Sequence, residues 1–162
     1  MSTILQDGIN SGNIVCIPKE HIGVVSPRIR ELLNANTFEW DYFTTPDALL
    51  ESFLAPNVDV WIAPCAPIFE AFMCTAIVEY ASGNKDLTIV IATGVHIVKH
   101  IDLFHAAAFH IAQLHRCSRI TMSGRPAFKR LLASHGFKPD SYPVLTCEVP
   151  NVLWQTEGRT DQ

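Results

Sequence analysis

The chain has 162 residues, 48% of them hydrophobic and 17% charged, with a formal net charge of −4. That length supports one domain with a sizeable core, and the mildly acidic balance gives no electrostatic footprint for nucleic acid. No apolar run is long enough to span a bilayer, and the opening MSTILQDGIN lacks the basic-then-apolar order of a secretory signal.

The first strand is predicted at Asn13–Ile17, stopped by Pro18. Ser26-Pro27 is a helix-start signal, with Ser as N-cap and Pro at the first helical position, so a helix is expected over Arg28–Asn34. Thr45-Pro46-Asp47 repeats the signal ahead of a second helix, Ala48–Leu54. Phe38, Trp40, Tyr42 and Phe43 lie between them and read as cover for the core. Three strands follow at Val58–Ala63, Phe69–Ala81 and Leu87–Ala92, and their short connections predict an antiparallel meander. LTIVIA is apolar almost throughout, as a central strand covered on both faces is.

From there the period changes. Ile97, Ile101, Phe104, Ala108 and Ile111 recur at helical spacing, predicting a long helix over Lys99–Cys117. Ile120–Met122 returns to strand, Gly124-Arg125-Pro126 makes a corner, and a helix follows with Ala127, Leu131 and Leu132 facing inward. Gly136 is its C-cap, and Val144–Val149 is the last strand. The expected architecture is a mixed α/β sheet, an antiparallel meander joined to a parallel strand–helix–strand–helix half, with helices on both faces. The expected organisation is a single domain over residues 1–150 and a C-terminal arm over 151–162. In that arm Leu153 and Trp154 are the candidate anchors to a partner, since Trp is favoured at interfaces.

Three groups of residues invite chemistry. Arg116, Arg119, Arg125, Lys129, Arg130 and Lys138 gather around the last helix and would suit either an anion site or a solvated face. His100, His105, His110 and His115 recur every five residues, but five helical steps turn about 500°, so the rings diverge and no metal is expected. Cys16, Cys65, Cys74, Cys117 and Cys147 form no CxxC pair and read as buried free thiols.

The order of elements resembles the GNAT acyltransferase fold, and within it a phage-encoded branch. The resemblance covers roughly Asn57–Val149 and rests on VDVWIA, on Thr75 in FMCTAIVEY, on Gly124-Arg125-Pro126-Ala127-Phe128, and on Gly136-Phe137 closing the last helix. It implies a phage or prophage origin and a place in the virion or the host cytoplasm. It also implies an acetyl-CoA pyrophosphate cradle at the start of the long helix, where Gly94, Val95, His96 and Arg125 would be the cofactor-binding residues. The family's acid is a Tyr on the last helix, and AFKRLLASH has none, so no catalytic residue is expected, with Glu79 and Tyr142 as the alternative. The cradle pattern is incomplete here: Ile91 and His96 stand at two of its positions, and Val95, Ile97 and Val98 are bulky where glycines let a backbone approach phosphate. The expectation is therefore a virion-associated or assembly protein with no cofactor. It would act by binding other virion proteins or copies of itself through Arg125, Leu153 and Trp154. The alternative is an acyl-CoA-dependent N-acetyltransferase with a divergent cofactor loop and acetyl-CoA as cofactor. Neither a membrane nor a specific nucleic acid is an expected partner.

Overall fold

The computed structural model describes residues 14–35, 45–63, 68–123, 126–140 and 144–150. Its strands are β1 (Val15–Cys16), β2 (Val58–Ala63), β3 (Ala71–Glu79), β4 (Lys85–Gly94), β5 (Arg119–Ser123), β6 (Lys138–Pro139) and β7 (Val144–Glu148). Its helices are α1 (Ile22–Ala35), α2 (Pro46–Ser52), α3 (Ile97–Leu114) and α4 (Pro126–Ala133). The strands form one mixed sheet in the order β1-β2-β3-β4-β5-β7-β6. β4 and β5 run parallel, in the register Asp86↔Arg119 to Ile89↔Met122. β1–β2, β5–β7 and β6–β7 are antiparallel. The expected α/β class and the expected parallel pair are both present.

The chain divides into two compact units, Met1–Thr75 with Ile91–Phe104, and Ala76–Val90 with His105–Gln162. In the first, Ile29, Leu32, Leu33, Phe53, Val60, Ile62, Phe72 and Met73 are all buried, and the rings of Phe53 and Phe72 meet edge-on at 6.3 Å. Lys19 lies across this core and donates from Nζ to the carbonyls of Phe53 and Val58. Thr75, 1% exposed, accepts from the Trp61 indole at 3.1 Å, so this strand threonine joins two strands. In the second unit, Leu87, Ala108, Ile111, Cys117, Ile120, Leu132, Phe137 and Leu145 are buried.

α1 corrects the sequence expectation. It begins at Ile22, directly after a 3-10 turn at Lys19–His21, and carries Pro27 inside it. Ser26 is no cap: its hydroxyl donates back to the Ile22 carbonyl at 2.7 Å. Pro27 forfeits one helical hydrogen bond, and burial of the stripe Ile22, Val25, Ile29, Leu32 and Leu33 outweighs that loss. α2 follows its signal, with the Thr45 hydroxyl accepting from the Ala48 N–H at 3.3 Å. α3 and α4 both close on the same cap, a left-handed residue whose follower bonds back five residues. In α4 that residue is Gly136 (φ 84), with Phe137 N–H donating to Leu132 O at 3.2 Å. In α3 it is Arg116 (φ 58), with Cys117 N–H donating to Ala112 O at 2.7 Å. α3 therefore ends at Leu114, short of Cys117. β6, two residues long, has no counterpart among the expected strands.

Candidate functional site

The turn from β4 into α3 is built within the first unit. Gly94 (φ 154) crosses the start of β3 so closely that a Cβ would overlap the Glu70 carbonyl oxygen and Ala71 Cα. Only glycine fits that approach. The Val95 N–H then donates to the Glu70 carbonyl at 2.8 Å. His96 adopts a left-handed conformation (φ 54) and is followed at once by right-handed Ile97, the first residue of α3. A left-handed residue next to a right-handed one turns successive N–H groups toward a common point, an anion-binding nest. The N–H groups involved are those of His96, Ile97 and Val98. That of Lys99 is taken by the His96 carbonyl at 2.8 Å.

Beside this turn stand one lysine, Lys99, and one carboxylate, Glu70. α3 has 18 residues and no acidic side chain in its first turn, so its dipole faces the turn uncompensated from its own sequence. Lys99 is exposed in that turn, and Val95 and Val98 are exposed beside it. One turn into α3, His100 Nε2 is buried, makes no hydrogen bond, and lies 3.5 Å from Glu70 Oε2.

Gly94, Val95 and His96 share one turn, where the glycine serves strand packing and the Val95 N–H is already bonded to Glu70. Of the other expected site residues, Glu79 is the one described. Glu79 is exposed at the end of β3 and pairs with Lys85 at 3.4 Å. Lys85 opens β4 and Gly94 ends it, so the two groups fall at opposite ends of that strand. Arg125, Tyr142, Leu153, Trp154 and Cys65, with the aromatic run Phe38, Trp40, Tyr42 and Phe43, lie outside the described residues.

Of the cationic cluster, one member has a defined set of partners among the described residues. Arg119 is committed to Asp86, which is 2% exposed. The guanidinium donates from Nε at 3.1 Å to each carboxylate oxygen and from NH2 at 2.8 Å. The Tyr80 hydroxyl donates to the same carboxylate at 3.0 Å, and Asp140 stands 3.7 Å from Arg119 on its other side. The bonded Asp86 carboxylate, by hydrogen bond first and by charge second, holds Arg119 further into its charged form. Cys16, Cys74, Cys117 and Cys147 are free. Burial is the main cause that pushes the Cys16 thiol up to about 11 and Cys74 to about 12. Among the described residues no group of three or more His, Cys, Asp or Glu side chains could hold a metal ion. A groove of about 690 Å³ lies in the second unit between His105, Phe109, His135, Lys138 and Glu148. Among the described residues no helix is long and apolar enough to cross a membrane.

No family model matches the chain, and no curated protein matches it. Solved structures do. A predicted acetyltransferase from Clostridium acetobutylicum, with acetyl-CoA, is 13% identical with a TM-score of 0.58, over 80% of this chain and 92% of that one. A candidate acetyltransferase of the GNAT family from Desulfovibrio desulfuricans is 17% identical with a TM-score of 0.58, over 85% and 99%. The fold is GNAT-like. The NatC complex bound to Gag peptide and CoA is a further neighbour, 14% identical with a TM-score of 0.58, over 85% and 99%. These neighbours overturn the expectation of no cofactor, because solved proteins of this fold hold acetyl-CoA or CoA.

The sequence named Gly94, Val95 and His96 together, and the structure places them in one turn. It read Gly94 as the cradle and His96 as a misfit, because side-chain bulk is visible in a sequence and backbone handedness is not. The one available signal was that histidine is among the residues enriched in the left-handed region. Glu70 and His100 are far apart in the sequence and meet across the β4–α3 turn.

Proposed function

We propose that the chain is an acyl-CoA-dependent N-acetyltransferase with a divergent cofactor loop. The observation that carries the reading is the turn before α3. A left-handed His96 aims backbone donors at one point, at the front of a long helix that has no acid of its own in the first turn. The donor set fits acetyl-CoA: the N–H groups of His96, Ile97 and Val98 and the Lys99 ammonium would hold its phosphates. When bound, acetyl-CoA supplies an activated acyl thioester. The chain's own part is to fix the phosphate end, through a loop that Gly94 and the Val95–Glu70 bond keep in one conformation. A fixed donor converts acyl transfer to an amine from a chance encounter into a positioned one.

The expected role in a viral particle rested on the phage resemblance and on Arg125, Leu153 and Trp154, which lie outside the described residues. No observation of the fold or its neighbours favours it, and it is set aside. The acetyltransferase reading is tested by mixing the full chain with acetyl-CoA and a series of primary amines, from free amino acids to peptide N-termini and polyamines. Release of CoA thiol above spontaneous hydrolysis, abolished by Gly94→Ala, is the expected result. Absence of release with every amine, together with absence of acetyl-CoA binding, overturns the reading.

A further inference from the structure

The segment that leads into β3 meets the β4–α3 turn at three points. The Glu70 carbonyl accepts the Val95 N–H at 2.8 Å, Ala71 leaves room opposite Gly94 only for a hydrogen, and Glu70 Oε2 lies 3.5 Å from His100 Nε2. Glu70 therefore holds the turn by its main chain and faces the first turn of α3 by its side chain. The His100 side chain is 14% exposed, and its Nε2 is buried without a hydrogen bond at a separation that a small shift would close.

From this arrangement we infer that Glu70 and His100 are positioning residues of the phosphate-binding turn, and that protonation of His100 tightens the turn and strengthens anion binding there. Imidazole is the side chain whose charge changes in the neutral range. A protonated His100 would form a charge-assisted bond to the Glu70 carboxylate. Closing it draws α3 onto the same residue that holds Val95, and it adds a cation to the end of the helix that receives phosphate. A neutral His100 loses the charge and loosens the hold. Charged or titratable neighbours in the chain are His96, Lys99 and Asp102 on the α3 side, and Arg28 of α1 approaches from the other. Arg28 donates from Nε to the Phe69 carbonyl at 3.2 Å, one residue before Glu70, and pairs with Glu31. The inference rests on the acetyltransferase reading only for the ligand it names, since the hold on the turn is a property of the chain alone.

The test compares the full-length wild type with His100→Gln and His100→Lys, each first shown to melt cooperatively. Acetyl-CoA affinity is measured from pH 5.5 to pH 8. His100→Gln supplies the baseline for ionisation of the cofactor's own phosphate. The wild type should bind about fivefold more tightly than His100→Gln at pH 5.5 and equally at pH 8, as an added ion pair near 1 kcal/mol implies. His100→Lys should keep the tight form throughout. In parallel, hydrogen exchange of the Val95 amide is followed without ligand. Its protection should fall as pH rises in the wild type and stay constant in both variants. A constant ratio of affinities with binding intact overturns the inference and leaves the acetyltransferase reading standing. If no protein binds acetyl-CoA, that reading fails, and the Val95 amide still decides whether His100 governs the turn.

Discussion

The two ends of β4 solve opposite problems. At its start Asp86 is buried, and every demand of its carboxylate is met by Arg119 and Tyr80. At its end the chain makes a turn through a left-handed His96, beside an exposed Lys99 and two exposed valines. The first is a polar network around a buried carboxylate, which ties β4 to β5. The second leaves hydrogen-bonding capacity open at a helix terminus, which in a folded chain is either solvated or used. Arginine and aspartate look more like active-site chemistry than Gly-Val-His does. The difference teaches that satisfied partners, rather than residue type, separate a structural site from a binding one.

The contrast can be broken most forcefully at Gly94. Gly94→Ala forces a Cβ into backbone atoms of Glu70 and Ala71 at a positive φ, and should destabilise the protein by about 3 kcal/mol or more. Urea denaturation measures it. A variant with wild-type stability would mean that the turn is not packed as described.

Next in size, Arg119→Ala leaves the Asp86 carboxylate buried with Tyr80 as its remaining named partner, and should cost about 2–3 kcal/mol by the same measurement. Acetyl-CoA binding by the folded fraction should be unchanged. A loss of binding without a loss of stability would reverse the assignment of the two ends.

A settled interior also has a pH signature. The Cys16 and Cys74 thiols are raised in the folded chain to about 11 and about 12, against an unfolded value near 9. The sign follows from linkage: the unfolded chain loses these protons first, so the stabilisation is complete below about pH 9 and declines as pH rises toward the folded values. The slope approaches about 1.4 kcal/mol per pH unit for each thiol. Stability measured from pH 8 to pH 10.5 should fall less steeply in Cys74→Ala than in the wild type. Identical slopes would contradict burial of that thiol.

The smallest effect sharpens the other end of β4. His96→Gly should be tolerated, whereas His96→Val, a β-branched residue in a left-handed position, should lose about 1–2 kcal/mol and weaken anion binding. Equal behaviour of the two would remove the left-handed turn from the account.

Much of the frame was legible in the sequence. β2 occupies Val58–Ala63 as expected, because alternation of apolar residues between turn signals has one good solution. α2 starts where Thr45-Pro46 said, since its cap is local chemistry. Gly136 was read correctly as a C-cap, while Arg116, in the same conformation, left no trace, because the glycine announces itself and an arginine does not. α1 was begun six residues late, because a local Ser-Pro signal was preferred to an apolar stripe that reaches back to Ile22. The turn before α3 was legible as a glycine-bearing loop, and its geometry was not. Its glycine was visible, but handedness at His96 and the Glu70–His100 meeting depend on the assembled chain.

The central claim is that the start of α3 receives the phosphates of an acyl-CoA. Calorimetric titration of the full chain with acetyl-CoA, repeated with Lys99→Ala and with acetyl-pantetheine, tests it most directly. The account predicts binding in the micromolar range, near −8 kcal/mol, weakened severalfold by Lys99→Ala and lost with the phosphate-free thioester. Equal affinity for both thioesters, or no heat with acetyl-CoA from a chain that melts cooperatively, would contradict it.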